Sequence, residues 1–341
     1  MTEVAILGAG IAGLAAAYEM RGHGIGATVF ESTAHIGGRV STVERGPVLF
    51  DDGAQFIRTE TAAAERLLLH DLPGDALFDL RREVRPFDGR GRIGPGDPAQ
   101  NALPKWGYRG GLRVLPQLLA AASKASVHLG WPVARIVRSA TGWDVVGPRG
   151  TEGGFGAVLV TLPPAAATAL LSRTDGAARS VEGLRGAHHR TIISVAFEPE
   201  SPLQAPEHTY ALVNADRKHP ISWLAFESAK PGHVPAGREV IVAQMAHEWS
   251  APRLALRDGA IAAEAVTLSS ALIGTDLAPR WAHVTRWPEA LPDATVPIPR
   301  SDEKAGLFFA GDVFVGGRVH LALESGLAAA AQIQRQLDAQ S

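Results

Sequence analysis

An apolar strand that runs straight into a glycine turn constrains this chain more than any other feature. Thr2-Glu3-Val4-Ala5-Ile6-Leu7 leads into Gly8-Ala9-Gly10-Ile11-Ala12-Gly13-Leu14. In a strand–turn–helix the glycines serve different ends. Gly8 permits the tight turn, Gly10 lets backbone approach a pyrophosphate, and Gly13 lets the helix pack on the strand. The helix N-terminus offers free N–H groups and a partial positive charge. A helical stretch with Ala15, Ala16 and Ala17 follows, then Gly22, Gly24 and Gly26, then the strand Ala27-Thr28-Val29-Phe30 ending at Glu31. An acid roughly 20 residues past the motif hydrogen-bonds ribose hydroxyls. The unit predicts an α/β domain that holds a dinucleotide. Glu31 disfavours a 2′-phosphate on that ribose, since like charges would meet.

A chain of 341 residues exceeds one simple core, so two joined domains are expected. The net charge of −2 gives no nucleic-acid surface and no polybasic membrane patch. The absence of cysteine removes disulfides, thiolate metal sites, a cysteine nucleophile and a cysteinyl-linked cofactor. Glu3 stands where a signal peptide would need a basic residue. The apolar run from Ala157 to Leu171 contains Pro163-Pro164 and is too short to cross a bilayer. The expectation is a cytoplasmic protein with no membrane and no nucleic acid polymer as partner.

Further along, helices are predicted over Ala62–Leu69 and Leu112–Lys124, and an exposed loop over Asp88–Pro104. The strand-like pieces Val127–Leu129, Val133–Arg138, Trp143–Val146 and Ala157–Leu162 read as a return to the nucleotide-binding sheet. A second region, with strands at Thr191–Phe197, Thr209–Asn214, Ile221–Phe226 and Glu239–Met245 and a helix over Asp258–Leu272, predicts a largely antiparallel sheet. It holds Trp223, Trp249, Trp281 and Trp287. The chain closes with a buried strand, Leu307–Ala310, then Gly311-Asp312, Gly316-Gly317 and a helix from His320 to Leu337.

One glycine fingerprint suffices for a nicotinamide cofactor. This chain carries two further elements suited to phosphate or sugar. Gly37-Gly38-Arg39 follows Glu31, and an arginine has the fork geometry that clamps a pyrophosphate. Gly311-Asp312 ends a strand at the far end of the sequence, where an acid can bind polyol hydroxyls and the next helix aims its dipole. A cofactor with AMP at one end and a ribityl-flavin at the other uses all of these; NAD leaves the last unexplained.

Gly8-x-Gly10-x-x-Gly13, Glu31, Gly37-Gly38-Arg39-Val40, Asp52-Gly53-Ala54-Gln55-Phe56, Gly311-Asp312 and Glu324-Ser325-Gly326 together resemble the FAD-dependent amine oxidase superfamily. Trp223-Leu224, Ser228-Ala229-Lys230-Pro231-Gly232, His247-Glu248-Trp249-Ser250 and Thr285-Arg286-Trp287-Pro288 most resemble its renalase-like members. The resemblance implies a two-domain α/β flavoprotein. Its Rossmann-like FAD-binding domain would be discontinuous, built from 1–70, 108–165 and 290–341. The substrate domain, residues 71–107 and 166–289, would carry a mostly antiparallel sheet and helices. FAD, bound non-covalently, would be held by Gly8, Gly10, Ile11, Ala12, Gly13, Glu31, Gly38, Arg39, Gln55, Phe56, Gly311, Asp312, Leu321 and Ala322, with Val133, on its strand, beside the adenine. Leu321-Ala322 departs from the usual Gly-Ala of the family.

The implied reaction is hydride transfer from a substrate carbon to flavin N5, with O2 as acceptor and hydrogen peroxide as product. The implied substrate is an isomeric dihydronicotinamide nucleotide. Arg58, Trp223, His247 and Trp287 are its candidate pocket residues, and no side chain is assigned a catalytic role. The amine oxidases proper often use a lysine near N5. Arg190-Thr191-Ile192-Ile193-Ser194-Val195 carries none, and Lys230, before Pro-Gly, reads as a turn residue. Asp51 reads as a turn and backbone cap. Alternatives are a flavin amine oxidase, a desaturase-like oxidoreductase, and a flavin- or nucleotide-binding sensor without turnover. His188-His189 has no third ligand at metal spacing, so no metal site is expected.

Overall fold

In the first strand, β1 (Glu3–Leu7), Val4 to Leu7 are all fully buried, as befits a parallel strand covered on both faces. The computed structural model describes residues 3–201, 203, 208–299 and 306–340; Thr2 of the predicted strand lies outside them. Helix α1 (Ile11–Gly22) returns the chain to β2 (Gly26–Phe30), which pairs in parallel with β1. A hairpin, β3 (Val43–Arg45) and β4 (Val48–Phe50), leads to the segment 51–56 and then α2 (Ala62–Arg66). Next come β5 (Leu77–Asp79), β6 (Glu83–Phe87), α3 (Pro98–Ala102) and β7 (Trp106–Tyr108). The stretch expected as a loop thus contains a short helix, started by Asp97, whose carboxylate accepts from Ala99 and Gln100 N–H.

Helix α4 (Val114–Ser123) precedes β8 (Ser126–His128), β9 (Arg135–Ser139), β10 (Gly142–Gly147), β11 (Gly150–Phe155) and β12 (Ala157–Val160). Of these, β8 and β12 join the nucleotide-binding sheet. β9, β10 and β11 do not; they form their own three-stranded antiparallel sheet. Their periodicity resembled that of the parallel strands, but connections of a few residues between consecutive strands allow only antiparallel pairing. Val133 precedes β9 and lies outside any strand.

Helices α5 (Pro164–Leu171) and α6 (Ala178–Gly183) lead into the second sheet: β13 (His189–Pro199), β14 (Thr209–Asn214), β15 (Ile221–Phe226) and β16 (Ile241–Met245). Helix α7 (His247–Ser250) and α8 (Asp258–Ile273) precede β17 (Pro279–Pro292). The chain ends with β18 (Leu307–Phe309), α9 (Asp312–Val315) and α10 (Val319–Gln340).

Two sheets dominate. The first is all parallel, in the order β18-β12-β1-β2-β8. The chain leaves β1 toward β2 while β12 lies on its other side, so the end of β1 is a topological switch point, where open α/β sheets bind ligands. The second runs β17-β13-β16-β15-β14-β6 and is antiparallel except for β14 with β6. Its Ile193, Val195, Leu224 and Ala243 face pack on Ile261 and Ala265 of α8. The opposite face receives Val48 and Phe50 of the hairpin on Ala196 and Val242.

Small residues set how closely the helices approach. A Cβ on Gly13 would overlap the Gly8 carbonyl oxygen, and one on Gly326 would overlap that of Ala12. Gly326 therefore lets α10 lie directly against α1. Among the described residues no helix is long and apolar enough to cross a membrane.

Candidate cofactor and substrate site

The glycine turn at the end of β1 is held by Glu31. Its carboxylate accepts from Ala9 N–H at 2.9 Å and from Thr33 N–H at 2.8 Å. A carboxylate has about four lone-pair sites, so acceptor capacity remains for ribose hydroxyls. Gly10 forms a bridge with Gly37, and nothing lies within 4 Å of where its Cβ would stand. Helix α1, opened by Gly10, has no side-chain cap, so its first N–H groups, from Ile11, Ala12 and Gly13, are available to a phosphate. Beside Glu31, whose carbonyl accepts from Trp131 N–H at 2.7 Å, a cavity of about 230 Å³ is lined by Phe30, Ser32, Trp131, Val133 and Leu162. Its lining is mostly apolar, with Ser32 and Arg173 as polar members, a composition that suits a nucleobase. Val133 lines this cavity but precedes β9, outside the strand on which the resemblance implied it.

From this handle the site runs to Gly38, Arg39 and the far end of the chain. Arg39 donates to both oxygens of Asp312, Nη1 at 2.6 Å and Nη2 at 2.8 Å, and Nη1 also donates to the Ala290 carbonyl at 2.9 Å. Gly311 N–H donates to Ser325 Oγ at 3.0 Å. That contact explains the serine of Glu324-Ser325-Gly326: it fixes the turn before Asp312. Burial alone would raise the Asp312 carboxyl. The His189 hydrogen bond and Arg39 beside it outweigh burial and hold it below the usual range. Leu321 packs toward Gly316, with a methyl 3.2 Å from where a Cβ would stand there; Ala322 follows on the same half-buried first turn of α10.

The segment Asp52-Gly53-Ala54-Gln55-Phe56 lies between this clamp and the second sheet. On the clamp side Ala54 N–H donates to the Arg39 carbonyl at 2.9 Å. On the sheet side, Trp223, Gln244, Ser194 and Thr285 are successive cross-strand partners, and such partners share a face. Three of them reach the segment. Trp223 Nε1 donates to Gln55 Oε1 at 3.3 Å, Gln244 Nε2 to the Gly53 carbonyl at 2.6 Å, and Thr285 Oγ1 to Asp52 Oδ2 at 2.7 Å. Trp287 adds Nε1 to the Asp52 carbonyl at 3.0 Å. Ser194 Oγ and Asp52 Oδ1 are buried without a protein partner. Burial raises the Asp52 carboxyl, against the lowering effect of the Thr285 and Ser41 hydroxyls.

The predicted substrate residues divide. Trp223 and Trp287 face the segment, and Trp223 stands 6.0 Å from Phe56, ring to ring. Arg58 lies over Phe56 at 5.2 Å but spends its N–H groups on the carbonyls of Gln100, Leu103 and Pro104. It anchors the loop after α3. His247 accepts from Thr191 N–H at 2.9 Å through Nδ1, beside the irregularity where β13 meets β17. Gln55 is committed to protein partners, including the Tyr210 hydroxyl at 3.2 Å, which sequence reasoning missed.

It also missed a buried charge cluster. Lys230 does follow a short turn, yet it is buried, with Nζ 2.7 Å from Asp51 Oδ2. It also lies 2.9 Å from Glu227 Oε1, as an ion pair off the angle of a hydrogen bond. His233 contacts Glu227 through Nδ1 at 2.8 Å and the Tyr108 carbonyl through Nε2 at 3.2 Å. Asp51 does cap backbone, accepting from Leu112 N–H at 2.9 Å, but within this cluster rather than on a surface turn. Asp51, Glu227 and His233 converge closely enough for a metal, but the Lys230 ammonium already supplies the cation.

Glu239 neighbours the cluster. Burial pushes its carboxyl up to about 7 from an ordinary value of 4.5, against donors from Ser228 and Val240. The folded state thus binds the extra proton, and stability falls as pH rises from the unfolded value through the folded one. Glu239→Gln is expected to stabilise the protein by up to about 3 kcal/mol at pH above 7, and by nothing near pH 4.5. Urea unfolding across pH reads this; a gain independent of pH would refute it.

Residues 6–70 match the model of the NAD(P)-binding Rossmann-like domain, and residues 72–334 match that of the flavin containing amine oxidoreductases. Protoporphyrinogen oxidase 2 of Arabidopsis thaliana is 41% identical over 70 residues, 20% of this chain but only 14% of that protein. The corresponding enzyme of Nicotiana tabacum is 39% identical, also over 14% of its length. Among solved structures, a putative protoporphyrinogen oxidase from Exiguobacterium sp. 255-15 superposes with a TM-score of 0.79 at 16% identity, over 99% of both chains. Cyclohexylamine oxidase from Brevibacterium oxydans IH-35A gives 0.77 at 16%, again over 99% of both. The glycine turn, the apolar cavity and the Arg39–Asp312 pair fit FAD as cofactor, and the family match spans most of the chain. The chain belongs to the flavin containing amine oxidoreductase family.

Proposed function

We propose that this protein is an oxidase that removes a hydride from a carbon bonded to nitrogen in a small substrate, with O2 as the acceptor and hydrogen peroxide as product. FAD, when bound, supplies the hydride acceptor, N5 of its ring. The observation that carries this reading is the seam between the Asp52–Phe56 segment and the second sheet, where two indoles flank a row of uncharged polar side chains. Trp223 and Trp287 give flat apolar walls. Ser194 Oγ, buried without a partner among the described residues, suits a water or a substrate N–H. The amine and protoporphyrinogen oxidases that this chain resembles are in keeping with such a substrate.

A second reading, an isomeric dihydronicotinamide, keeps one observation in its favour. Lys230, which pairs with Asp51 next to the seam, is committed to two carboxylates and is not free to hold a water at N5. A ring already rich in electrons needs no such help. Anaerobic mixing separates the readings. Primary and cyclic amines should bleach the flavin band within seconds, while isomeric dihydronicotinamides leave it unchanged. Bleaching by the dihydronicotinamides alone would replace the first reading with the second.

A further inference from the structure

His189 lies in β13, on the second sheet, yet among the described residues its side chain makes polar contact only with Asp312, which follows the parallel sheet. Its side chain is 0% exposed. Nε2 stands 3.3 and 3.4 Å from the two oxygens of Asp312, and Nδ1 is buried with no partner among the described residues. A histidine held for the sake of its own strand would satisfy both nitrogens nearby. This one serves Asp312.

Charge explains why Asp312 needs it. The anionic diphosphate of FAD would enter a site that already holds two carboxylates, Glu31 and Asp312. The positive groups at hand are the uncapped N-terminus of α1, with its partial charge, and the Arg39 guanidinium. Arg39 gives one N–H from each Nη to Asp312 and another from Nη1 to the Ala290 carbonyl, so a diphosphate would compete for a guanidinium already turned toward the carboxylate. Sharing it with a diphosphate leaves Asp312 short of a donor in a largely buried position, where an under-satisfied carboxylate is costly.

We propose that His189 is a positioning residue for the cofactor: it holds and balances Asp312 so that Arg39 can be shared with the diphosphate of FAD. The His189 hydrogen bond is also the leading influence that holds the Asp312 carboxyl low against burial. Because His189 and Ala290, the other protein acceptor of Arg39, sit on the neighbouring strands β13 and β17, the second sheet takes a direct part in seating the cofactor. The proposal rests on FAD alone and holds whatever the substrate.

The test is FAD affinity of the apoprotein, read from quenching of flavin fluorescence. His189→Leu and His189→Asn, neither able to reach Asp312, are expected to weaken binding on the order of 10- to 100-fold. His189→Gln, with a terminal amide that extends to the Nε2 position, should recover most of it. In an Asp312→Asn background His189→Leu should cost little more, since the carboxylate it serves is gone. Unchanged affinity in Leu and Asn variants, equal loss with Gln, or full additivity with Asp312→Asn would overturn the assignment.

Discussion

A Lys230→Met variant is expected to lose about 3–5 kcal/mol of folding stability, the usual cost of stripping one partner from a buried ion pair. Lys230, Asp51 and Glu227 are at most 2% exposed, and methionine leaves both carboxylates without their cation. Burial by itself pushes the Asp51 carboxyl up and the Lys230 ammonium down. The opposite charges reverse both, holding Asp51 below its ordinary range and Lys230 well above. A depressed acid contributes stability at neutral pH that is lost as pH falls through its folded value. A raised amine contributes stability that is lost only above the ordinary lysine range. The deficit of the variant, measured by urea unfolding, should therefore be largest near neutral pH and shrink in acid. A deficit below about 1 kcal/mol at neutrality would mean that water reaches the cluster and screens it.

Arg39→Ala is expected to weaken FAD binding on the order of 100-fold, through loss of a charged, two-pronged donor. Arg39→Lys should recover part of this, because it restores the charge without the fork. Equilibrium titration of apoprotein with FAD gives the constant directly. An Ala variant that binds as tightly as the parent would reduce Arg39 to a strut between Asp312 and the Ala290 carbonyl.

The dinucleotide handle was legible because its chemistry is local. Gly8, Gly13 and Glu31 meet within one βαβ unit, and the contact of Glu31 with Ala9 N–H spans only that unit. The link to Gly311-Asp312 was readable through glycine and acid types, but not the partner: nothing in the string Arg39-Val40 names Asp312 rather than a phosphate. The strands β9 and β10 were found as strands and assigned to the wrong sheet, because alternation reports burial and not pairing, and the glycine-rich β11 was not read as a strand. Lys230 was read only as a turn residue, which it is; its burial was not foreseen. Its burial depends on Asp51, far away in sequence, and no local pattern carries that distance. The row Trp223–Gln244–Ser194–Thr285 was hidden for the same reason, since it exists only once β15, β16, β13 and β17 are in register.

The position of β18 has a consequence for synthesis. Residues 307–309 complete the parallel sheet by pairing with β12, which was made long before. A chain emerging from the ribosome at roughly 5–20 residues per second holds Val158, Leu159 and Val160 at a bare sheet edge until those last strand residues appear. An open apolar edge invites pairing with other chains. Asp312 lies three residues past the end of β18, so the same late event closes the edge and supplies the partner of Arg39. The Arg39–Asp312 pair can therefore form only after residue 312 has been made.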